Sequence, residues 1–589
     1  MKYICLIIVL AFLGTTACNE PAQQNKVHAD EAFSGFETRF LDNYWKQYPS
    51  NSFGGSPNSV VVGYGKYYDN LVIPDSAAFE GNITFSKTWI DSLNQQDFKG
   101  LSDNNKISFN IIKNQLESDI WYQSVFKIQQ WDASSYNLSN ESYYIINQPY
   151  APLDDRLRIL SKHIENSDRY YQAALKMLSR PTRESIGLSI MQNQGGLSIF
   201  GKDLADSIKS SHLTATEIST LNQNVSKTVT AINGFVDSLK GILANKNYVF
   251  RKYGIGRDLF RDKFKYDLAT NYTPEELYEK AIADKKIVYT KMIQTADSLW
   301  ISYYKNKPKP KDNLELVQSV VDAVSLQHAQ GKDLFDSLRN LVYELKRFII
   351  TKDLFDFDTT YPIVVRLMPE YERGFAIASA EFTPPYQKSG DTYFNIDDVT
   401  KYPKEKMEST LRETNNYNAQ ILSIHEAIPG HCVQGIYNNK KSPDVLRSVF
   451  QNGAMIEGWA VYAEGMMLEN GWNEKPEMKL IYYKHKLREV GNVIIDYQMQ
   501  CLDSSKEAIM NFLIKDCFQT KAQAEEKYHR ATLSQVQLCS YYAGSSSIMA
   551  LRSDYKTKKG DKYSLKDFHE NFLGYGSSPV KYIRERMLQ

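Results

Sequence analysis

The chain reads as mainly α: one large helical body with a deep cleft and a small β element just ahead of a histidine-bearing helix. Three observations predict this. Thr273-Pro274-Glu275-Glu276 joins an N-cap, a proline at the first helical position and a capping-box glutamate, and it opens an apolar-periodic stretch through Leu277, Ile282 and Ile287. Similar helical periods run from Asp155 to Leu178, Ala215 to Leu243 and Leu314 to Ile349, with breaks at Lys307-Pro308-Lys309-Pro310 and Thr383-Pro384-Pro385. Asp391-Thr392-Tyr393-Phe394-Asn395-Ile396, aromatic and β-branched after a Gly-containing turn, is the clearest strand candidate.

At the N-terminus, Met1-Lys2 precedes an apolar run from Ile4 to Leu13, too short to span a bilayer, and then Gly14-Thr15-Thr16-Ala17-Cys18. Residues 1–17 read as a lipoprotein signal, with cleavage before Cys18 and lipid on its sulfur. Thr15 stands where leucine is commonest, so an ordinary secretory signal is the other reading. Residues 18–30 are polar and read as a tether, and 31–589 as a single domain whose two halves flank the cleft, since no repeat of solenoid period is present. No later stretch approaches the about 20 apolar residues of a membrane helix. The expected location is the bacterial cell envelope, lipid-anchored and facing the periplasm or the cell surface.

A chain of 589 residues can bury a large core, and a net charge of +1 gives no electrostatic argument for nucleic acid. Its 40 tyrosines suit ligand grooves and ordinary exported surfaces equally. Cys432, Cys501, Cys517 and Cys539 lack the spacing of a structural zinc site; buried thiols are expected, with a disulfide open.

The chemistry concentrates in Ile424-His425-Glu426-Ala427-Ile428-Pro429-Gly430-His431 and in Glu457-Gly-Trp-Ala-Val-Tyr-Ala-Glu464. Catalytic zinc takes three protein ligands and leaves the fourth position for water. His425, His431 and Glu457 supply such a set, and Glu426 is placed as the base that takes the proton from metal-bound water. The usual His-Glu-x-x-His spacing puts both imidazoles on one helix face. Here the histidines are six apart, a turn of about 600° on a regular helix, so Pro429 and Gly430 must break the regularity.

These motifs, with Tyr541-x-x-Gly544 and Leu551-Arg552 near the end, resemble the bacterial family of domain of unknown function 885. The likeness extends weakly from Tyr64-Gly65-Lys66-Tyr67-Tyr68 to Asp567-Phe568-His569. It implies a zinc-metallopeptidase-like protein with one Zn2+ per chain and a glutamate as third ligand. Within the wider superfamily, the spacing of Glu457 and Glu464 is similar to the Glu-x₆-Glu of oligopeptidases; seven residues return to within about 20° of one face, so Glu464 is expected to orient a ligand histidine. A tyrosine before Ala-Gly donates to the oxyanion in those peptidases, which implies Tyr541, or Tyr542 beside it, as a catalytic donor. Tyr393, Asn395 and Arg552 are the candidate substrate contacts. Gln500 stands where the family resemblance implies a histidine, and His569 reads as structural.

Resemblance also implies that the strand ahead of the metal helix pairs its edge with the substrate backbone; a hairpin covering the core is the equal alternative. The function expected is hydrolysis of small peptides. A non-catalytic Tyr-rich lipoprotein capturing peptides or glycans is the rival reading, and an amidase acting on another carbonyl a third. The sequence fixes no oligomeric state.

Overall fold

The computed structural model describes residues 20–50, 57–356, 362–369, 376–387 and 390–589, with side chains from His28 onward. Cys5, Cys18 and the signal segment 1–17 lie outside them. The fold is mainly α with one small sheet.

Helix α1 (Glu20–Gln47) includes most of the stretch expected as a tether. That stretch is polar, but it leads into turns that bury Phe33, Phe36, Phe40 and Tyr44 against Leu93 and Ile112, and the apolar face carries the helix backwards from there. The period from 215 is one helix, α2 (Ala215–Ala244), and Thr273 caps α3 (Pro274–Tyr304) with the capping box the sequence predicts. Two other periods are divided. Residues 155–178 form Leu153–His163 and Ser167–Met177, and 314–349 form Asn313–Ser325 and α4 (Leu334–Lys352). In the second gap the Gln327 carbonyl accepts from Asn416 N and the Ala329 carbonyl meets His328 Nδ1, so tertiary partners replace the helical ladder.

The sheet has strands β1 (Ile363–Leu367), β2 (Ala378–Glu381) and β3 (Thr392–Ile396), in the order β1-β3-β2. β3 pairs parallel with β1, Ile363 opposite Thr392, and antiparallel with β2, Ala378 opposite Ile396. The strand singled out in the sequence is therefore central. Both its edges are taken, so β3 cannot pair with a substrate backbone. β2, by contrast, packs against the helices that carry the histidines, and its outer edge has no backbone partner among the described residues.

Those helices are α5 (Asn418–Glu426) and α6 (His431–Lys441), followed by α7 (Gly453–Glu469), α8 (Pro476–Cys501), α9 (Lys521–Leu533) and α10 (Ser540–Lys559). The closest pairing is α7 with α10. A Cβ on Gly544 would stand 1.7 Å from the Ala454 carbonyl oxygen, so the two backbones touch and only glycine fits. The core around the site joins Phe394 and Ile396 of β3 to Ile424, Ala427, Trp459 and Ile548. No described helix is long and apolar enough to cross a membrane.

Candidate metal centre

The six-residue spacing is resolved by two helices rather than one kinked helix. α5 stops at Glu426, and α6 starts at His431 with Gly430 as its N-cap. Gly430 N donates to the Ile424 carbonyl at 2.9 Å, and Trp459 Nε1 donates to the Pro429 carbonyl at 2.8 Å, which pins the turn. A Cβ on Gly430 would lie 1.8 Å from the His425 carbonyl oxygen. The chain thus folds back on itself so closely that the two imidazoles meet, ring centroids 4.8 Å apart and nearly perpendicular.

Both Nε2 atoms face Glu457. Oε2 of Glu457 is 3.6 Å from Nε2 of His425 and 3.6 Å from Nε2 of His431. Ligand atoms about 2.0–2.2 Å from a tetrahedral zinc lie about 3.3–3.6 Å from each other, so the donor set and its spacing fit that ion. The three side chains are 12%, 11% and 23% exposed, which leaves a way in on one side. Burial opposes charge on His425, yet hydrogen bonds to Glu457 and Glu464 outweigh it and hold the imidazolium well above its usual range. Glu457 is also buried, but its two histidine partners hold its carboxyl well below the usual range. A divalent cation placed between them would take over the role of that proton.

Behind His425, Nδ1 lies 2.8 Å from Oε1 of Glu464, which is fully buried. The same oxygen is 3.3 Å from Nε2 of His485 on α8. Sequence reasoning missed His485. Its signal was a polar stripe, His485, Glu489, Asn492 and Asp496, along one face of an otherwise buried helix. Glu426 ends α5 close enough to His425 and Cys432 for its charge to act on both.

The remaining expected residues divide. Tyr541 is half-buried at the start of α10, one turn before Gly544, which presses on Gly458 beside Glu457; its hydroxyl accepts from Arg530 Nη2 at 3.3 Å. Tyr542 is turned into the core with its hydroxyl on Asp284, so it is not free to face the metal set. Tyr393 and Asn395 share the face of β3 opposite Phe394, and a polar network occupies it. Arg366 lies 3.6 Å from the centre of the Tyr393 ring, Arg366 Nε donates to Asn395 Oδ1, and Asn395 Nδ2 donates to Glu381. With Asn395 wholly buried, these two hold the sheet together instead of meeting a substrate. Arg552 pairs with Glu469 at 2.7 Å, near the C-terminal end of α7, and its guanidinium lies 5.7 Å from the centre of the Tyr462 ring.

Gln500 donates to the Ala531 carbonyl at 2.8 Å and lies fifteen residues beyond His485 on α8, about 22 Å along its axis. The position where the family resemblance implies a histidine is therefore remote from His425, His431 and Glu457. His569 is buried between the Leu354 carbonyl and the Tyr462 hydroxyl, as its structural reading requires. The four C-terminal cysteines are free thiols, and Cys432 points its sulfur at the Tyr393 carbonyl, away from the histidines.

The model of a bacterial family of unknown function, DUF885, matches residues 58–587. The chain belongs to that family. Among solved structures, a candidate lipoprotein of unknown function from Shewanella oneidensis is 40% identical with a TM-score of 0.86, over 95% of this chain and all of that one. A candidate lipoprotein from Colwellia psychrerythraea has a TM-score of 0.71 at 14% identity, over 96% of this chain and 97% of that one, and shares the fold. No curated protein matches.

Proposed function

We propose that this DUF885 protein is a zinc-dependent peptidase of the bacterial cell envelope, held at the membrane by lipid on Cys18 and acting on small peptides. The observation that carries the reading is the convergence of His425, His431 and Glu457 within 4.8 Å of one another, on three separate helices, with a buried carboxylate behind the first histidine. The envelope location draws on the Cys18 signal and on the lipoprotein character given to both structural relatives.

His425, His431 and Glu457 would hold the ion, which when bound acidifies its water and polarises the scissile carbonyl. Glu464 holds His425 by Nδ1 and so keeps Nε2 free to coordinate. Glu426 takes the proton from the attacking water and returns it to the leaving nitrogen. Tyr541 supplies the hydroxyl that steadies the oxyanion. The outer edge of β2, beside α5, is the strand edge available to a peptide backbone.

The test is metal content with turnover. About one zinc per chain, lost in His425→Ala, together with hydrolysis of short peptides that Glu426→Gln lowers at least about 10²-fold without loss of zinc, is the expected result. Zinc without hydrolysis of any short peptide would overturn the peptidase reading, and no zinc would overturn it in favour of the non-catalytic binding lipoprotein, which needs no metal.

A further inference from the structure

Beside the metal set, a narrow polar notch holds more positive charge than its own groups neutralise. Glu413, Asn418, Lys484, His485 and Arg488 line it. One carboxylate faces two cations there: Glu413 Oε1 accepts from Arg488 Nη1 at 3.2 Å, and its Oε2 is 3.6 Å from Lys484 Nζ. No other acceptor among the described residues meets the Arg488 guanidinium, nor does any partner meet the Asn418 amide. Lys527 of α9 lies behind the notch, with Nζ donating to Asn492 at 2.9 Å. Burial, then the charges of Arg488 and Arg530, push Lys527 down to about 7, with Glu526 offsetting part of the effect. Cations crowd here with too few anions.

The notch stands at a definite distance from the histidines. His485 belongs both to its wall and, through Glu464, to the support of His425. Arg488 is one turn beyond His485 on α8, and Asn418 is two turns before His425 on α5, about 10.5 Å along the axis. Two extended residues of peptide cover about 7 Å. A peptide whose scissile carbonyl sits at His425 and His431 therefore needs about three further extended residues to bring its terminus to the notch. A guanidinium with donors to spare matches a carboxylate, which it can grip through two parallel hydrogen bonds.

We propose that this notch is the subsite for the α-carboxylate of the substrate, with Arg488 as its anchor and Lys484 and Asn418 beside it, so that the protein trims peptides from their C-terminal end. The proposal rests on the peptidase reading above and adds its direction of attack. Glu413 keeps Arg488 aimed while no substrate is bound.

The zinc-loaded full chain is assayed on two N-acetylated peptides of one sequence, one ending in a carboxylate and the other in an amide. The carboxylate form is expected to have kcat/KM at least about 10-fold higher, carried by KM. Arg488→Met should remove that preference with zinc content unchanged, and Arg488→Lys should restore part of it. Should Arg488→Met fail to fold, Asn418→Asp, which adds a repelling charge, should weaken the acid and spare the amide. Equal kcat/KM for the two peptides, or a preference that survives in the folded variants, overturns the proposal. If zinc-loaded wild type cleaves neither peptide, the peptidase reading fails, and the notch is judged by calorimetric binding to Glu426→Gln. About 10-fold tighter binding of the acid upholds a carboxylate site, and equal binding overturns it.

Discussion

Oε1 of Glu464 lies 2.8 Å from Nδ1 of His425, with the glutamate wholly enclosed in the protein. A carboxylate in that position accepts the Nδ1 proton, and the ring is left with its Nε2 lone pair toward Glu457 and His431. The distance from Glu457 to Glu464 is seven residues, two turns of α7, so one helix face carries both a carboxylate that meets the two histidines and the carboxylate that supports His425. His485 touches the same oxygen, which keeps Glu464 from turning away.

Glu464→Gln should therefore lower zinc affinity by about 10-fold to 100-fold, whereas Glu457→Ala should lower it further. Metal titration of the two variants ranks them. A larger loss at Glu464 would mean that the two glutamates exchange roles.

Gly430→Ala tests the turn that delivers His431. Its new Cβ would fall 1.8 Å from the His425 carbonyl oxygen and 2.4 Å from that of Ile424, both backbone atoms that no rotamer change can clear. The expected cost is about 3 kcal/mol of stability with loss of zinc, read by denaturant midpoint and metal content. A variant with normal midpoint and full zinc would show that the turn has room to shift.

Much of this centre is legible in the sequence because ligand chemistry is local in type even where it is distant in space. His425, His431 and Glu457 are recognised by residue kind and motif, and Pro429-Gly430 announces a break. The form of the break is not legible: whether the chain kinks or starts a new helix depends on Trp459 and the Ile424 carbonyl, which are tertiary and backbone partners. The same limit explains β3. Its composition marks a strand, but that it is central depends on β1 and β2, whose pairing is nonlocal. The partners of Tyr542 and Arg552, Asp284 and Glu469, are not legible because adjacent or helical positions do not reveal which neighbour on another helix meets them.

Two buried histidines set a pH dependence of stability. Burial pushes His163 and His569 down to about 4, from an ordinary 6.5, so both are neutral in the fold. Between these values the unfolded chain binds protons at these two sites that the folded chain does not, so their contribution to stability rises with pH, while the buried carboxyls of Glu37, Glu489 and Asp496, raised to about 8, 7 and 7, act in the opposite sense. The histidine contribution is complete above about 6.5 and falls as pH drops toward 4, by on the order of 3 kcal/mol for each histidine. Denaturant midpoints between those limits check it, and His163→Leu should shallow the slope. The same slope in His163→Leu as in the parent would refute the neutral assignment of His163.

The two adjacent tyrosines make the sharpest comparison. Tyr542 gives its hydroxyl to Asp284 and packs in the core, so Tyr542→Phe should cost about 1 kcal/mol of stability and leave kcat alone; Asp284 keeps Lys280 at 2.9 Å as a partner. Tyr541 is different. Its hydroxyl accepts from Arg530 at 3.3 Å at an exposed contact, and its backbone sits one turn from the contact between Gly544 and Gly458, next to Glu457. Removing that hydroxyl should leave the fold intact, and if it donates to the developing oxyanion, Tyr541→Phe should lower kcat on the order of 10²-fold with KM little changed. A loss confined to KM would make Tyr541 a substrate contact instead. A kcat defect at Tyr542 with none at Tyr541 would mean that the Asp284 bond breaks on substrate binding and that Tyr542 is the oxyanion donor.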